Sequence, residues 1–411
     1  MRQPPTSLRL VLCLMIASAL PVNAAEDVSP RARALHERIL TLDSHLDTPA
    51  QLDDPAWDIL QRHAPGHGDN QVDYPRMLEG GLDGGAWAIY TPQRGRTLAD
   101  YQVARDHGLQ RLIEIKQLVA GHPDKFELAA TPDDARRIAK TGKRIVFISM
   151  ENASPLVLDP SLLKFYYDQG LRVLGLVHTS NNEFADSATA PAEWHGISPK
   201  GRELVAEANR LGILLDQSHA SDDVFDQLLE LSRAPIVLTH TSSKAIYNHP
   251  RNIDDERIKR LAAKGGVIQV NSYSTYLKDT GATPEYQQAV RALNQRYQDT
   301  KAGSPEDKQL HAELAALDAK YHIQPATIED YFKHLLHIIQ VAGPDHVGFG
   351  ADWDGGGGVI GLEDVSKLPK ITGRLLQEGY TDEQIANMWG GNLLRVIGEA
   401  QRIGRELSAA R

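Results

Sequence analysis

The sequence predicts an α/β fold, a TIM (β/α)8 barrel in one domain with a helical insertion between its seventh and eighth strands. Three observations predict it. Eight short runs of β-branched or apolar residues recur along the chain, the segments between them carry helical spacing, and polar residues suited to chemistry gather where the runs end. An open doubly wound sheet is the alternative use of the same alternation.

The chain of 411 residues opens with MRQPPTSLRLVLCLMIASALPVNAAED, in which Arg2 and Arg9 precede an apolar run from Leu10 to Leu20 and a small-residue pattern ending at Ala24 or Ala25. That order matches a secretory signal peptide. Residues 1–24 are expected to be removed, leaving 25–411 as a soluble barrel that is periplasmic or secreted. No later run reaches the roughly 20 apolar residues that span a bilayer. Cleavage takes away two arginines and no acid, moving the net charge from −10 to about −12. A surface of that sign argues against nucleic acid as a partner. The only cysteine, Cys13, lies in the signal segment, so disulfides are excluded from the mature chain. Any metal site must use histidines and carboxylates.

In order, the runs are RILTLD (38–43), GGAWAIY (84–90), KRIVFISM (143–150), LRVLGLV (171–177), GILLD (212–216), APIVLT (234–239), GGVIQVN (265–271) and HVGFGA (346–351). Segments such as DDARRIAKTG, KGRELVAEANRLG and DDERIKRLAAKGG begin on polar or acidic residues, place apolar residues at helical spacing and stop at glycine. Strand then helix, repeated, is the pattern of parallel strands joined by crossovers. Residues 280–330 depart from it. They are polar, charged and helical in period, and are expected to form two exposed helices with a turn at AGSP.

Position then gives the polar residues their meaning. His45 and Asp47 follow the first run, Glu151 the third, His178 the fourth, His219 the fifth, His240 the sixth and Asp352 the eighth. In a barrel those carboxyl ends meet at one mouth, which is where such folds carry their chemistry. Taken singly, each histidine has a bland explanation as a core or capping residue, and His63, His67, His195 and His249 are read that way. Collectively, histidines and carboxylates without a thiolate suit zinc, with Mn, Co or Fe as alternatives. The set exceeds one tetrahedral site. A carboxylate can bridge two ions, which would share a hydroxide and clamp the oxygens of a hydrolytic transition state.

The motifs DSHLDTP, SMENA, LGLVHTSNNEFADSA, GILLDQSHAS, PIVLTHTSSKAIYNHPRNIDD, GGVIQVNSY and VGFGADWDGGGGVIGLEDVSKLP run from residue 42 to about 370. As a set the sequence resembles the membrane dipeptidase family (renal dipeptidase, peptidase family M19) of the amidohydrolase superfamily. The resemblance implies a centre of two zinc ions hydrolysing the peptide bond of dipeptides, both L,L and L,D. His45 and Asp47 would bind one ion, His219 and His240 the other, and Glu151 would bridge them. His178 would polarise the scissile carbonyl, Asp352 would shuttle the proton to the leaving amine, and Arg251 with Tyr273 would meet the substrate's terminal carboxylate. A homodimer is also implied. For Arg251 the competing role is a surface ion pair with Asp254 or Asp255. Ser44 and Leu46 stand where relatives usually carry glycine and asparagine, so a different pocket floor is expected. Two rival functions use the same barrel: hydrolysis of a lactone, phosphoester or non-peptide amide, and non-catalytic binding by an exported protein. The second predicts a missing ligand, and none of the five is missing.

Overall fold

The computed structural model describes residues 28–64, 69–93, 95–297, 300 and 304–410. The expected signal segment, His67, and Ala302 and Gly303 of the AGSP turn lie outside them. Parallel strands β1 (Leu42–Leu46), β2 (Gly84–Tyr90), β3 (Phe126–Leu128), β4 (Arg144–Glu151), β5 (Leu171–Gly175), β6 (Leu214–Asp216), β7 (Val237–Thr241), β8 (Val267–Val270) and β9 (Val347–Phe349) form one sheet. Eight of them follow the path β1-β2-β4-β5-β6-β7-β8-β9. The ends of that path approach through the bridge between Leu46 and Trp353, and Asp47 N donates to Trp353 O at 2.9 Å. This is a nearly closed (β/α)8 barrel. Ser44, one of the expected departures, helps to hold it: its hydroxyl donates across the interior to Thr239 O at 2.6 Å.

Three details differ from the sequence reading. Strand β3 was not expected; it pairs with Arg144–Val146, on the edge of β4 that β5 takes only from Ile148 onward. The first strand begins at Leu42 rather than Arg38, because Ser29 caps a helix over Pro30–Arg38 with a proline at its first turn. His45 therefore lies inside β1, and Asp47 follows it at φ −85° and ψ 6°. Similarly, His240 lies within β7 rather than after it.

The crossover helices end as their sequences direct. Ser198 caps Pro199–Leu211 by accepting from Gly201 N, and Gly212 closes that helix at φ 78°, a conformation that costs glycine little. Apolar residues from the strand starts, among them Leu42, Val237 and Val267, pack with Leu393, Val396 and Ile397 of the terminal helix Asn392–Ala409, which closes the amino-terminal end of the barrel. Function is left to the opposite end.

Between β8 and β9 the insertion forms helices Pro284–Arg296 and Pro305–Tyr321. Polar contacts join them, such as Tyr286 to Asp318 at 2.7 Å and Tyr297 to Glu313 at 2.8 Å. His311 lies 3.6 Å from Asp69, which ties the insertion to the segment after β1. Among the described residues no helix is long and apolar enough to cross a membrane.

Two buried histidines make stability depend on pH. His36 contacts the Thr372 hydroxyl at 2.7 Å and Gly80 O at 2.8 Å, and burial lowers its pKa to about 4. His334 accepts from Ser243 N at 3.0 Å, and burial likewise lowers it to about 4. The unfolded imidazoles bind protons first as pH falls, so stability present above pH 6.5 declines toward pH 4, by about 3 kcal/mol for each group. Urea-unfolding midpoints measured from pH 7.5 to 4.5 are expected to fall accordingly. His36→Phe should make the slope shallower; an unchanged slope would remove His36 as a cause.

Candidate metal centre

Glu151 ends β4, and its two oxygens look in different directions. Oε2 lies 3.5 Å from His45 Nε2, whereas Oε1 lies 2.9 Å from His219 Nε2 and 3.4 Å from His240 Nε2. On the His45 side, Asp47 Oδ2 is 3.3 Å and Asp352 Oδ1 is 4.0 Å from the same Nε2. The rings of His45 and His240 are 4.0 Å apart, and those of His178 and His219 4.2 Å. Three overlapping groups result, each with ligand atoms close enough to share a cation: His45, Asp47 and Asp352; His45, Glu151 and His240; Glu151, His178 and His219. Thus all seven candidates from strand ends converge on one mouth.

The local backbone is specialised to bring them there. His219 and Asp352 have φ of 70° and 68°, and Asn152 and Asp354, beside the site, have 68° and 63°. Such left-handed conformations cost a non-glycine residue about 1 kcal/mol or more, and tertiary bonds hold them. Asp352 O accepts from Gly357 N at 2.8 Å. Asp354 accepts from the Thr48 hydroxyl at 2.6 Å and from Gln71 N at 2.7 Å, locking the turn after Asp352 against the segment after β1. In that turn, a Cβ on Gly355 would lie 2.2 Å from Asp47 Oδ2 and 2.6 Å from Asp352 Oδ1. Only a bare backbone fits against the two carboxylates.

A second layer fixes the histidines. The Thr239 hydroxyl donates to Asp216 Oδ2 at 2.5 Å and lies 2.9 Å from His240 Nδ1. With its proton engaged by Asp216, that hydroxyl accepts from Nδ1–H, and the lone pair of His240 is left on Nε2. This tautomer suits a cation ligand. Asp43 accepts from His45 N at 2.9 Å and Ala351 N at 3.1 Å, joining β1 to the residue before Asp352. Neither Asp43 nor Asp216 was singled out from the sequence. The available signal was an acid within an otherwise apolar strand, in TLDSH and LLDQSH.

The charges test whether cations fit. His45 Nε2 and His240 Nε2 are buried without a hydrogen-bond partner, as is Asp47 Oδ1, although such atoms normally find one. Burial opposes a charge on His45, yet Glu151 and Asp47 raise its pKa well above the ordinary value. Burial would raise Glu151, yet His45, His178 and His219 hold it well below. A proton on His45 therefore performs among the carboxylates the service a cation would. Burial, followed by the Arg251 charge, lowers His219 well below its usual range, and burial is also the main cause lowering His178 and His240. Asp352 is raised to about 7 by burial, with His45 opposing and Asp47 reinforcing. Neutral His219 and His240, unpaired carboxylate oxygens, and His45 once a cation takes the place of its proton are the donor set that divalent transition metals take.

Arg251 does not form the surface pair considered for it. Asp254 is engaged by Arg257 at 2.5 Å and Asp255 by His337 at 2.7 Å, while Arg251 is 4% exposed and donates from Nη2 to His240 O at 3.2 Å. Tyr273 lies against the turn after Asp352, its ring beside Gly356. His63 stacks on Trp57 at 4.8 Å, away from the metal groups, in keeping with its bland reading. His249 accepts from Arg251 N at 3.2 Å, which likewise satisfies a backbone donor of its own loop.

The comparisons with known proteins point the same way. The model of the family described as membrane dipeptidase (peptidase family M19) matches residues 29–411. Dipeptidase tcpJ of Claviceps purpurea is 30% identical over 338 residues, covering 81% of this chain and 70% of that protein. The crystal structure of the probable dipeptidase PvdM from Pseudomonas aeruginosa superposes with a TM-score of 0.78 at 31% identity, covering 91% of this chain and 100% of that one. A metallopeptidase from Rhodobacter sphaeroides, solved with a phosphinate mimic of the dipeptide L-Ala-D-Ala, gives 0.70 at 25% identity, covering 88% and 99%. With a match spanning nearly all the described residues and a mouth of converging histidines and carboxylates, the chain belongs to the membrane dipeptidase family, peptidase family M19.

Proposed function

We propose that this chain is a zinc-dependent dipeptidase that hydrolyses the peptide bond of L,L and L,D dipeptides. The observation that carries the reading is the division of Glu151, one oxygen toward His45 and the other toward His219 and His240. A carboxylate shared by two cations is held in this way. His45 and Asp47 would hold one zinc ion and His219 and His240 the other, with Glu151 available to both. Bound there, the two ions lower the pKa of water and withdraw electron density from the scissile carbonyl.

The remaining steps belong to side chains. Asp352 takes a proton from the attacking water and returns it to the leaving amine nitrogen. Asn271 Nδ2 lies 3.3 Å from Asp352 Oδ2 and donates to it, so Oδ2 stays an acceptor and Oδ1 carries the proton. His178, kept neutral by burial, donates to the oxygen that gains charge as the carbonyl becomes tetrahedral. Arg251 and Tyr273 bind the terminal carboxylate and limit substrate length on that side. The phosphinate mimic of L-Ala-D-Ala in the Rhodobacter sphaeroides relative supports an L,D substrate. Residues 1–24 serve as the export signal and 25–411 as the mature periplasmic or secreted enzyme, supported by the order of charge, apolar run and small residues. The family resemblance supports a homodimer.

Three measurements test this reading. Chelation of the purified protein should abolish dipeptide hydrolysis, followed as release of free amino acids, and added zinc should restore it; full activity in the chelated, zinc-free protein would end the metal assignment. Glu151→Ala should lower bound metal from two ions per chain and reduce kcat/KM by at least about 1,000-fold, since it removes the shared ligand. Gly355→Ala should push the Asp47 and Asp352 carboxylates apart, lowering kcat about 100-fold while Tm moves by only a few degrees. An unaltered kcat would show that the turn does not position them.

A further inference from the structure

The Arg251 guanidinium is seated by residues that bind neither metal nor substrate in the reading above. Its central carbon lies 5.2 Å from the centre of the Tyr276 ring. That ring packs in turn on His249 at 4.8 Å and on Tyr273 at 4.6 Å. His249 Nδ1 accepts from Arg251 N, and burial followed by the Arg251 charge lowers its pKa to about 4, which keeps it a neutral acceptor. The neighbouring Asn252 donates to Tyr276 O at 2.7 Å, so the loop after β7 and the short helix Ser274–Leu277 after β8 are fastened at this point. Arg251 Nε remains buried with no acceptor. A guanidinium carries five donors, and one left unmet at 4% exposure marks a place for an anionic guest. Its Nη2 donates to His240 O at 3.2 Å, so the guest would lie beside the metal groups.

We propose that Tyr276 and His249 are positioning residues that hold the Arg251 guanidinium toward the barrel mouth, so that the strength of the carboxylate contact assigned to Arg251 above depends on both. The inference rests on the dipeptidase reading for its substrate. Tyr276 supplies the aromatic face and His249 the acceptor for the Arg251 backbone. A guanidinium held in place loses little freedom when it pairs with a carboxylate.

The test is calorimetric binding of a phosphinate dipeptide analogue to the zinc-loaded enzyme, as the free acid and as its carboxyl-terminal amide. The wild type should prefer the acid by about 100-fold, and Arg251→Ala should abolish the preference. Tyr276→Phe, which keeps the ring but removes the hydroxyl that meets Arg251, should lower the acid-to-amide ratio less than Tyr276→Leu, which should lower it about tenfold. His249→Leu, at a half-buried position, should lower it about threefold even where Tyr276→Leu fails to fold. In the Arg251→Ala background neither substitution should alter the ratio further. An unchanged ratio in both leucine variants, an equal loss in that background, or a wild type blind to the carboxylate would overturn the proposal. Turnover is read separately: acid preference without dipeptide cleavage would sink the dipeptidase reading and leave the carboxylate seat standing.

Discussion

The constraint on which the rest of the structure depends is the burial of Asp47, Glu151 and Asp352 among four histidines at one end of a barrel. Carboxylates removed from water repel one another and lose hydration, a cost that pairing must offset. Protonated His45 supplies part of that pairing, but one proton cannot satisfy oxygens facing both sides of Glu151. The site is therefore electrostatically unfinished without positive charge. Its three overlapping groups of histidines and carboxylates could hold divalent cations, which would complete the pairing and suit the metal-dependent hydrolysis of the family.

Such a site requires a frame that will not relax. Neighbouring strands each deliver one or two groups, so the barrel must hold its register, and buried hydrogen bonds across its interior do this. Ser44 bonds the strand opposite, Asp43 joins β1 to the residue before Asp352, and Asp216 acts through Thr239 on His240. Left-handed backbone at His219 and Asp352 adds a local energetic cost that these contacts offset. Stability and chemistry are thereby divided between the two ends, with apolar packing beneath and strained polar geometry at the mouth.

Much of this was legible in the sequence because it depends on local pattern. Strand-length apolar runs, polar helix starts and glycine stops mark the alternation, and once that is recognised the placement of His45, Glu151, His219, His240 and Asp352 after or near the runs follows from counting. The short β3 was missed because three residues, FEL, carry no periodic signal. Tyr276 and the burial of Arg251 were missed because both depend on two loops meeting. In sequence, the acids after Arg251 look like ready partners; in space they are engaged by Arg257 and His337.

By itself the sequence determined the barrel class, the absence of any cysteine after Cys13 and the set of candidate metal-binding side chains, because residue type and periodicity are local properties. Only the tertiary structure decided that Glu151 divides its oxygens between two groups of histidines, that His240 presents Nε2, and that Arg251 is seated on Tyr276 beside His249. Each of these depends on the direction of a side chain relative to partners up to hundreds of residues away. The closure of the barrel brings those partners together, and no spacing along the chain encodes their orientation.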